Sequence, residues 1–288
     1  MMKKILGISL ILLVVFTQTA CTSSEETAST ENQLTVAVSI VPEATFVKAV
    51  CGDTVNVITM IPPGASPENY EPTPEAFEQF NQADVYFSIG VPTEENGILP
   101  YVGENTEVVA LDDAVSAVYP ERTIDGVHDP HTWLSPKRVA IMIGMISEKM
   151  SMIEPEQKEL YEENAANYKT ELTDLDEQIQ TIFANETTNK NFITTHPAYG
   201  YFADDYGLTM YALEEDGKEA TAQHLQELVN LAEEKDIKTV FYQAETSSEQ
   251  ADAFAESIGG TAIELAPLSA DYINNMQEMA TSIAESMQ

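Results

Sequence analysis

The chain has 288 residues, 43% of them apolar, enough to bury a core in each of two ordinary domains, which excludes a disordered polymer. Its 48 acidic residues stand against 13 basic ones, a formal net charge of −35, which excludes nucleic acid or an anionic membrane surface as the partner because phosphate recognition needs clustered Lys and Arg. Such a chain attracts cations, although salt screens exposed charge beyond about 10 Å and acidity also keeps an exported protein soluble.

Residues 1–20 read as a signal peptide. Lys3 and Lys4 precede an uncharged apolar run over 5–16, the right length for an export signal and too short to span a bilayer as a helix. Thr19, Ala20 and Cys21 then resemble a bacterial lipobox, which implies that Cys21 is lipidated and becomes the mature N-terminus. Gln18 departs from the aliphatic residue usual there, and the alternative is cleavage after Ala20 by an ordinary signal peptidase. Residues 21–33, mostly TSSEETASTEN, are small, polar and without apolar period, the composition of a flexible tether. The other cysteine, Cys51, sits in FVKAVCG and reads as a small buried residue ending a helix capped by Gly52.

From Leu34 onward the pattern alternates. LTVAVSI, VNVITMI, DVYFSIG and TEVVAL are short β-branched or aromatic runs bounded by turn residues, with helical segments between several of them, so they predict βαβ units and a parallel sheet. The same grammar returns in NFITTH, LTMYAL, KTVFYQA and TAIEL, separated by amphipathic stretches over 222–235 and 247–258. Between these halves Tyr161, Ala165, Tyr168, Leu172, Leu175, Ile179 and Ile182 form the stripe of one uninterrupted helix after Pro155, about 45 Å long at ~1.5 Å per residue. The reading is therefore an α/β protein of two Rossmann-like lobes, 34–152 and 188–288, joined by a linking helix over 153–187. A coiled-coil dimer is the competing use of the stripe.

Three loops concentrate the chemistry. Residues 126–136, GVHDPHTWLSP, hold two of the four histidines and the only tryptophan, stiffened by Pro130 and closed by a Ser135-Pro136 helix start. Residues 64–74, GASPENYEPTP, and 191–202, NFITTHPAYGYF, each place a metal-binding side chain beside Pro or Gly near the end of a strand-like run. His196 ends such a run and Glu68 follows another, and in two parallel-sheet lobes those ends face the cleft. Imidazoles with a carboxylate suit Zn²⁺, whereas Mn²⁺ prefers more oxygen.

With HDPHTWLSP, YEPTP and HPAYGYF, the chain from about residue 34 resembles the periplasmic or surface-anchored solute-binding proteins that feed zinc or manganese to ABC transporters. The resemblance implies two α/β lobes bridged by one long helix, metal ligands at His131 and His196, and Glu68 where many members have histidine. It also implies an ABC permease as partner, a divalent cation as cargo and a monomeric receptor. Many members carry aspartate where this chain has Ala266, so the fourth ligand is Glu245, then Glu264, or water. Trp133, Tyr199 and Gln243, with Tyr70 and Tyr201, are expected around the metal or in ordinary packing. His128 is a flanking alternative to His131, and His224 is expected to be exposed on its helix. Neutral imidazoles must bind the metal, so affinity is expected to fall as pH drops through about 6.5. A secreted zinc hydrolase and a surface adhesin of the same fold are the alternatives; no HExxH motif supports the former.

Overall fold

The alternation after Leu34 is realised as two four-stranded parallel sheets of identical winding, in a computed structural model that describes residues 33–124, 126–186, 189–214 and 220–288. The signal peptide, Cys21 and most of the tether lie outside the described residues. The first sheet contains β1 (Leu34–Val38), β2 (Val55–Thr59), β3 (Val85–Ser88) and β4 (Glu107–Ala110) in the order β2-β1-β3-β4. A short antiparallel ribbon, β5 (Thr123–Ile124) with β6 (Val127–His128), precedes the second sheet and has no signal in the sequence pattern. That second sheet contains β7 (Asn191–Thr194), β8 (Thr209–Ala212), β9 (Thr239–Gln243) and β10 (Thr261–Leu265) in the order β10-β9-β7-β8. In each sheet the first strand pairs with both the second and the third, and the third with the fourth. All eight predicted strands are present.

Local chemistry sets the helix ends. In the first lobe α1 (Val41–Cys51) starts where the Glu43 carboxylate accepts the Ser39 and Ile40 amides at 3.0 Å each, and ends as the Gly52 amide returns to the Lys48 carbonyl. Cys51 is fully buried there, and burial pushes its thiol up to about 12. Thr73 caps α2 (Pro74–Phe80), and α3 (Leu111–Ser116) follows β4 directly. Ser135 caps α4 (Pro136–Ile153), accepting the Arg138 amide as Ser-Pro predicts.

The linking helix α5 (Lys158–Glu186) begins three residues after Pro155 and five after the expected bound at 153, because Pro155 opens a separate 3₁₀ turn, Pro155–Gln157. Its stripe is buried from Tyr161 to Ile179, and Phe183 rather than Ile182 completes it. The stripe packs on α1, α4 and the C-terminal α9 (Tyr272–Glu285) of its own chain, so the coiled-coil alternative has no free apolar seam to use. The Lys169 side chain of α5 lies over Gly144 of α4, its ammonium 2.8 Å from where a Cβ would sit. The second lobe adds α6 (Gly200–Tyr206), α7 (Ala222–Lys235) and α8 (Glu249–Ser257). One core runs from the first sheet through α5 into α9, Phe192 and Phe241, and a smaller one lies under α7 and α8. Among the described residues no helix is long and apolar enough to cross a membrane.

Candidate metal centre

Glu68, His131 and His196 reach one point from three segments. After β2 the chain turns at Gly64, whose φ of +82° is a conformation glycine adopts freely, and reaches Thr73 through a second turn over residues 67–69. Glu68 lies in the middle, its amide donating to Ser66 Oγ at 3.3 Å. His131 stands before the 3₁₀ turn Thr132–Leu134 that leads into α4. His196 lies two residues beyond β7, its carbonyl accepting the Thr194 hydroxyl at 2.8 Å and the Ala198 amide at 2.9 Å.

The ligand atoms form a nearly equilateral triangle. His131 Nε2 and His196 Nε2 are 3.2 Å apart, and Glu68 Oε1 is 3.6 Å from the first and 3.5 Å from the second. These three are the one such group among the described residues. Behind each imidazole stands a carboxylate: Asp129 Oδ1 lies 2.8 Å from His131 Nδ1, and Glu214 Oε2 lies 2.7 Å from His196 Nδ1. A carboxylate at Nδ1 fixes the ring orientation and puts the metal-binding lone pair on Nε2.

Electrostatics follow from those contacts. Burial alone would lower both histidines, but Asp129 and Glu68 raise His131, while Glu214 and Glu68 bring His196 up to about 9. Burial would raise Glu68, yet the two imidazoles outweigh it and hold the carboxyl at about 2. The metal-free site thus carries a bound proton among its imidazoles that a cation must displace.

The loop carrying His131 is anchored well beyond the site. Asp129 also accepts the His131 amide at 3.1 Å and pairs with Arg122 at 3.4 Å. Arg138 holds Asp205 of α6 at 2.9 and 3.0 Å and lies over the Tyr201 ring at 4.4 Å. Trp133 is buried, its ring 5.2 Å from that of His131, and its indole donates to the Pro267 carbonyl at 3.0 Å. Tyr201 donates to the Asp129 carbonyl at 3.2 Å.

The other predicted residues fall outside the triangle. Glu245 follows β9; among the described residues its Oε2 is buried without a hydrogen-bond partner, as is the hydroxyl of buried Tyr199, and the Glu245 carboxyl is raised by burial. Gln243 is buried at the end of β9. Glu264 is exposed on β10, accepting a long hydrogen bond of 3.4 Å from Tyr242. Ala266 contributes its carbonyl to Asn275, at 2.8 Å. His128 is in β6, 3.9 Å from Asp112, and Tyr70 lines a cavity beside Glu68. His224 corrects the expectation of exposure: it is half-buried at the start of α7, its Nε2 2.9 Å from the Ala212 carbonyl, because its helix begins against the end of β8. Sequence reasoning missed Asp129 and Glu214 as partners of the histidines. The signal for Asp129 was its place two residues before His131 across a proline; Glu214, the residue after the LTMYAL strand, was lost among 48 acidic residues.

Residues 36–286 match the family described as zinc-uptake complex component A, periplasmic. The chain is 28% identical over 278 residues to the high-affinity zinc uptake system protein ZnuA of Bacillus subtilis (strain 168), covering 90% of this chain and 87% of that one. It is 27% identical over 256 residues to the manganese ABC transporter substrate-binding lipoprotein PsaA of Streptococcus pneumoniae, with 84% and 83% covered. A crystal structure of ZnuA superposes with a TM-score of 0.83 at 30% identity, over 89% of this chain and 100% of that one.

Proposed function

Because this chain belongs to the family of periplasmic zinc-uptake component A proteins, we propose that it captures a divalent transition metal, zinc in preference to manganese, and delivers it to an ABC importer. The observation that carries the choice of cargo is the triangle. Zinc bound at about 2.0–2.1 Å in a tetrahedron needs ligand atoms about 3.3 Å apart, and the edges here are 3.2, 3.5 and 3.6 Å. Two nitrogens and one oxygen are also softer than the oxygen-rich set manganese favours.

Glu68, His131 and His196 are the protein ligands in this reading. The fourth position belongs to water or to Glu245, whose orphaned buried oxygen lies on the loop after β9 and whose side chain stands in for the carboxylate that Ala266 lacks. Trp133, Tyr199 and Gln243 screen the centre from solvent. Lipidation at Cys21 would anchor a monomeric receptor outside the cell, with the tether over 21–33, lobes over 34–152 and 188–288, and the bridge over 153–187. The protein binds its cargo and does not turn it over, so release falls to the permease.

Elemental analysis of the purified protein, followed by competition of Zn²⁺ against Mn²⁺ in wild type and His196→Ala, tests this. One zinc per chain, lost in the variant, is expected. A metal-free protein that ignores both ions would refute it.

A further inference from the structure

We propose that Thr93, braced by the buried carboxyl of Glu94, is the positioning residue that holds Glu68 at the metal triangle; this rests on the receptor reading above. The two histidines have supports of their own. The His131 loop is tied to the second lobe through Trp133 and Pro267, Tyr201 and Asp129, and Arg138 and Asp205, so it shares a body with His196. Glu68 arrives separately, in the middle of the segment 62–73.

Ala65 and Tyr70 pack that segment against the core on either side of Glu68. The Glu68 carboxylate is 31% exposed, and apart from the two imidazoles at 3.6 and 3.5 Å its Oε1 has no partner among the described residues, so its place depends on its backbone. One side of the segment faces a cavity of about 600 Å³ lined by Glu68, Tyr70, Glu71 and Asn96, and so lacks packing there. Thr93 stands in the wall of the same cavity, only 5% exposed. Its amide donates to the Pro67 carbonyl at 3.1 Å and its hydroxyl to the Tyr70 carbonyl at 3.2 Å. One residue thus holds the backbone on both sides of Glu68, its amide at Pro67 and its side chain at Tyr70.

Thr93 is in turn immobilised by its neighbour. Glu94 Oε1 accepts the Ser39 hydroxyl and, at 2.9 Å, the Ile89 amide; Oε2 accepts the Gly90 amide at 2.9 Å. These bonds close the loop 89–94 on itself and moor it to the end of β1. Gly90, at a φ of +84°, is pressed against Asp112 so closely that a Cβ would lie 2.7 Å from its Oδ2. A π-helical turn, Glu94–Ile98, continues the loop, a form of backbone that concentrates at functional sites. Mechanical connection therefore runs from β1 through Ser39, Glu94 and Thr93 to Pro67 and Tyr70, with Glu68 between them.

Zinc affinity and dissociation rate of the full-length chain would be measured in wild type, Thr93→Val, Thr93→Ser, Glu68→Ala and the Glu68→Ala/Thr93→Val double variant. Valine keeps the volume and removes the hydroxyl, so dissociation should quicken about tenfold, the lower end of what losing a ligand's support costs. Thr93→Ser should restore the wild-type rate, and in the Glu68→Ala background the valine should add nothing, since what it positions is gone. An equal effect of valine in both backgrounds, or none in either, overturns the inference while leaving the receptor reading intact. A wild type that binds no metal overturns both. Glu94→Gln, which places an amide NH₂ against backbone donors, should match Thr93→Val in its dependence on Glu68; independence from Glu68 would count against the connection.

Discussion

Proton competition should make metal binding depend on pH across a higher window than an ordinary histidine would give. Burial works against the charged imidazole of His196, but Glu214 and Glu68 overcome it and bring the group up to about 9. His131 is raised as well, and with its Nε2 3.2 Å from that of His196 the pair accommodates one proton far more readily than two. Metal binds the neutral ring, so at pH 7 the cation must displace a proton held two pH units below its midpoint. At ~1.36 kcal/mol per unit this costs about 2.7 kcal/mol, or ~100-fold in apparent affinity. Affinity should therefore climb about tenfold per pH unit from 7 and level off only near 9, above the window expected for an unperturbed ring. The direct assay is calorimetry at pH 7.5 in buffers of different ionisation enthalpy, which counts protons released per metal. About one is expected, and Glu214→Gln should reduce it. Release below about 0.2, the value for two histidines of ordinary pKa near 6.5, would refute the reasoning.

Other outcomes follow from the same geometry. The metal-free protein should be more stable at pH 6 than at pH 9: the contribution of the raised His196 is complete below about 6.5 and is lost as pH rises through about 9. Glu94, pushed up to about 7 chiefly by burial, has already lost part of its own contribution by pH 6 and loses the rest through 7, in the same direction. Glu68, held at about 2, changes only in strong acid. Thermal melts in a chelator should show a midpoint at least about 4 °C higher at pH 6, and a rise toward pH 9 would contradict this. Leu172→Ala on α5, where the side chain is 1% exposed, should cost about 2–5 kcal/mol by urea unfolding; a loss under about 1 kcal/mol would mean the stripe is not packed as described. His128→Ala should change zinc affinity less than about threefold, well below the ~10–100-fold that accompanies damage to a ligand's support, and a larger loss would place His128 in the site.

Periodicity made most of the fold legible. Each strand is a short branched or aromatic run whose ends coincide with turn residues, and the α5 stripe announces itself by spacing alone. The error at its end is instructive: Ile182 and Phe183 are neighbours on the helix, and which one faces the core is decided by the aromatic cluster with Phe202 and Tyr206, which no local pattern records. Histidines 131 and 196 were legible because histidine is scarce here. Carboxylates were not, because with 48 of them the ones that matter carry no compositional mark; Asp129 and Glu214 differ from the rest only by being 2.8 and 2.7 Å from an imidazole. His224 failed for the opposite reason, since helix amphipathicity says nothing of a carbonyl arriving from the preceding strand.

The identical winding of the two sheets explains why strand ends pointed to His196 and Glu68 and could not rank a fourth ligand. In each sheet strand order reverses between the first and third strands, and the crevice beyond their carboxyl ends is where such a fold offers a binding site. In the second lobe His196 lies two residues beyond β7 and Glu245 two beyond β9. The first lobe has the same crevice beyond β1 and β3 but fills it with its own side chains, Ser39 against the Tyr86 hydroxyl at 2.6 Å and the Glu94 carboxyl. The proposed carboxylate ligand, Glu68, lies instead on the long segment after β2. A ligand carried on a segment rather than at a strand end needs a brace, whereas one seated at the crevice does not, which is why the filled crevice of the first lobe and the Thr93 clamp on Glu68 occur together.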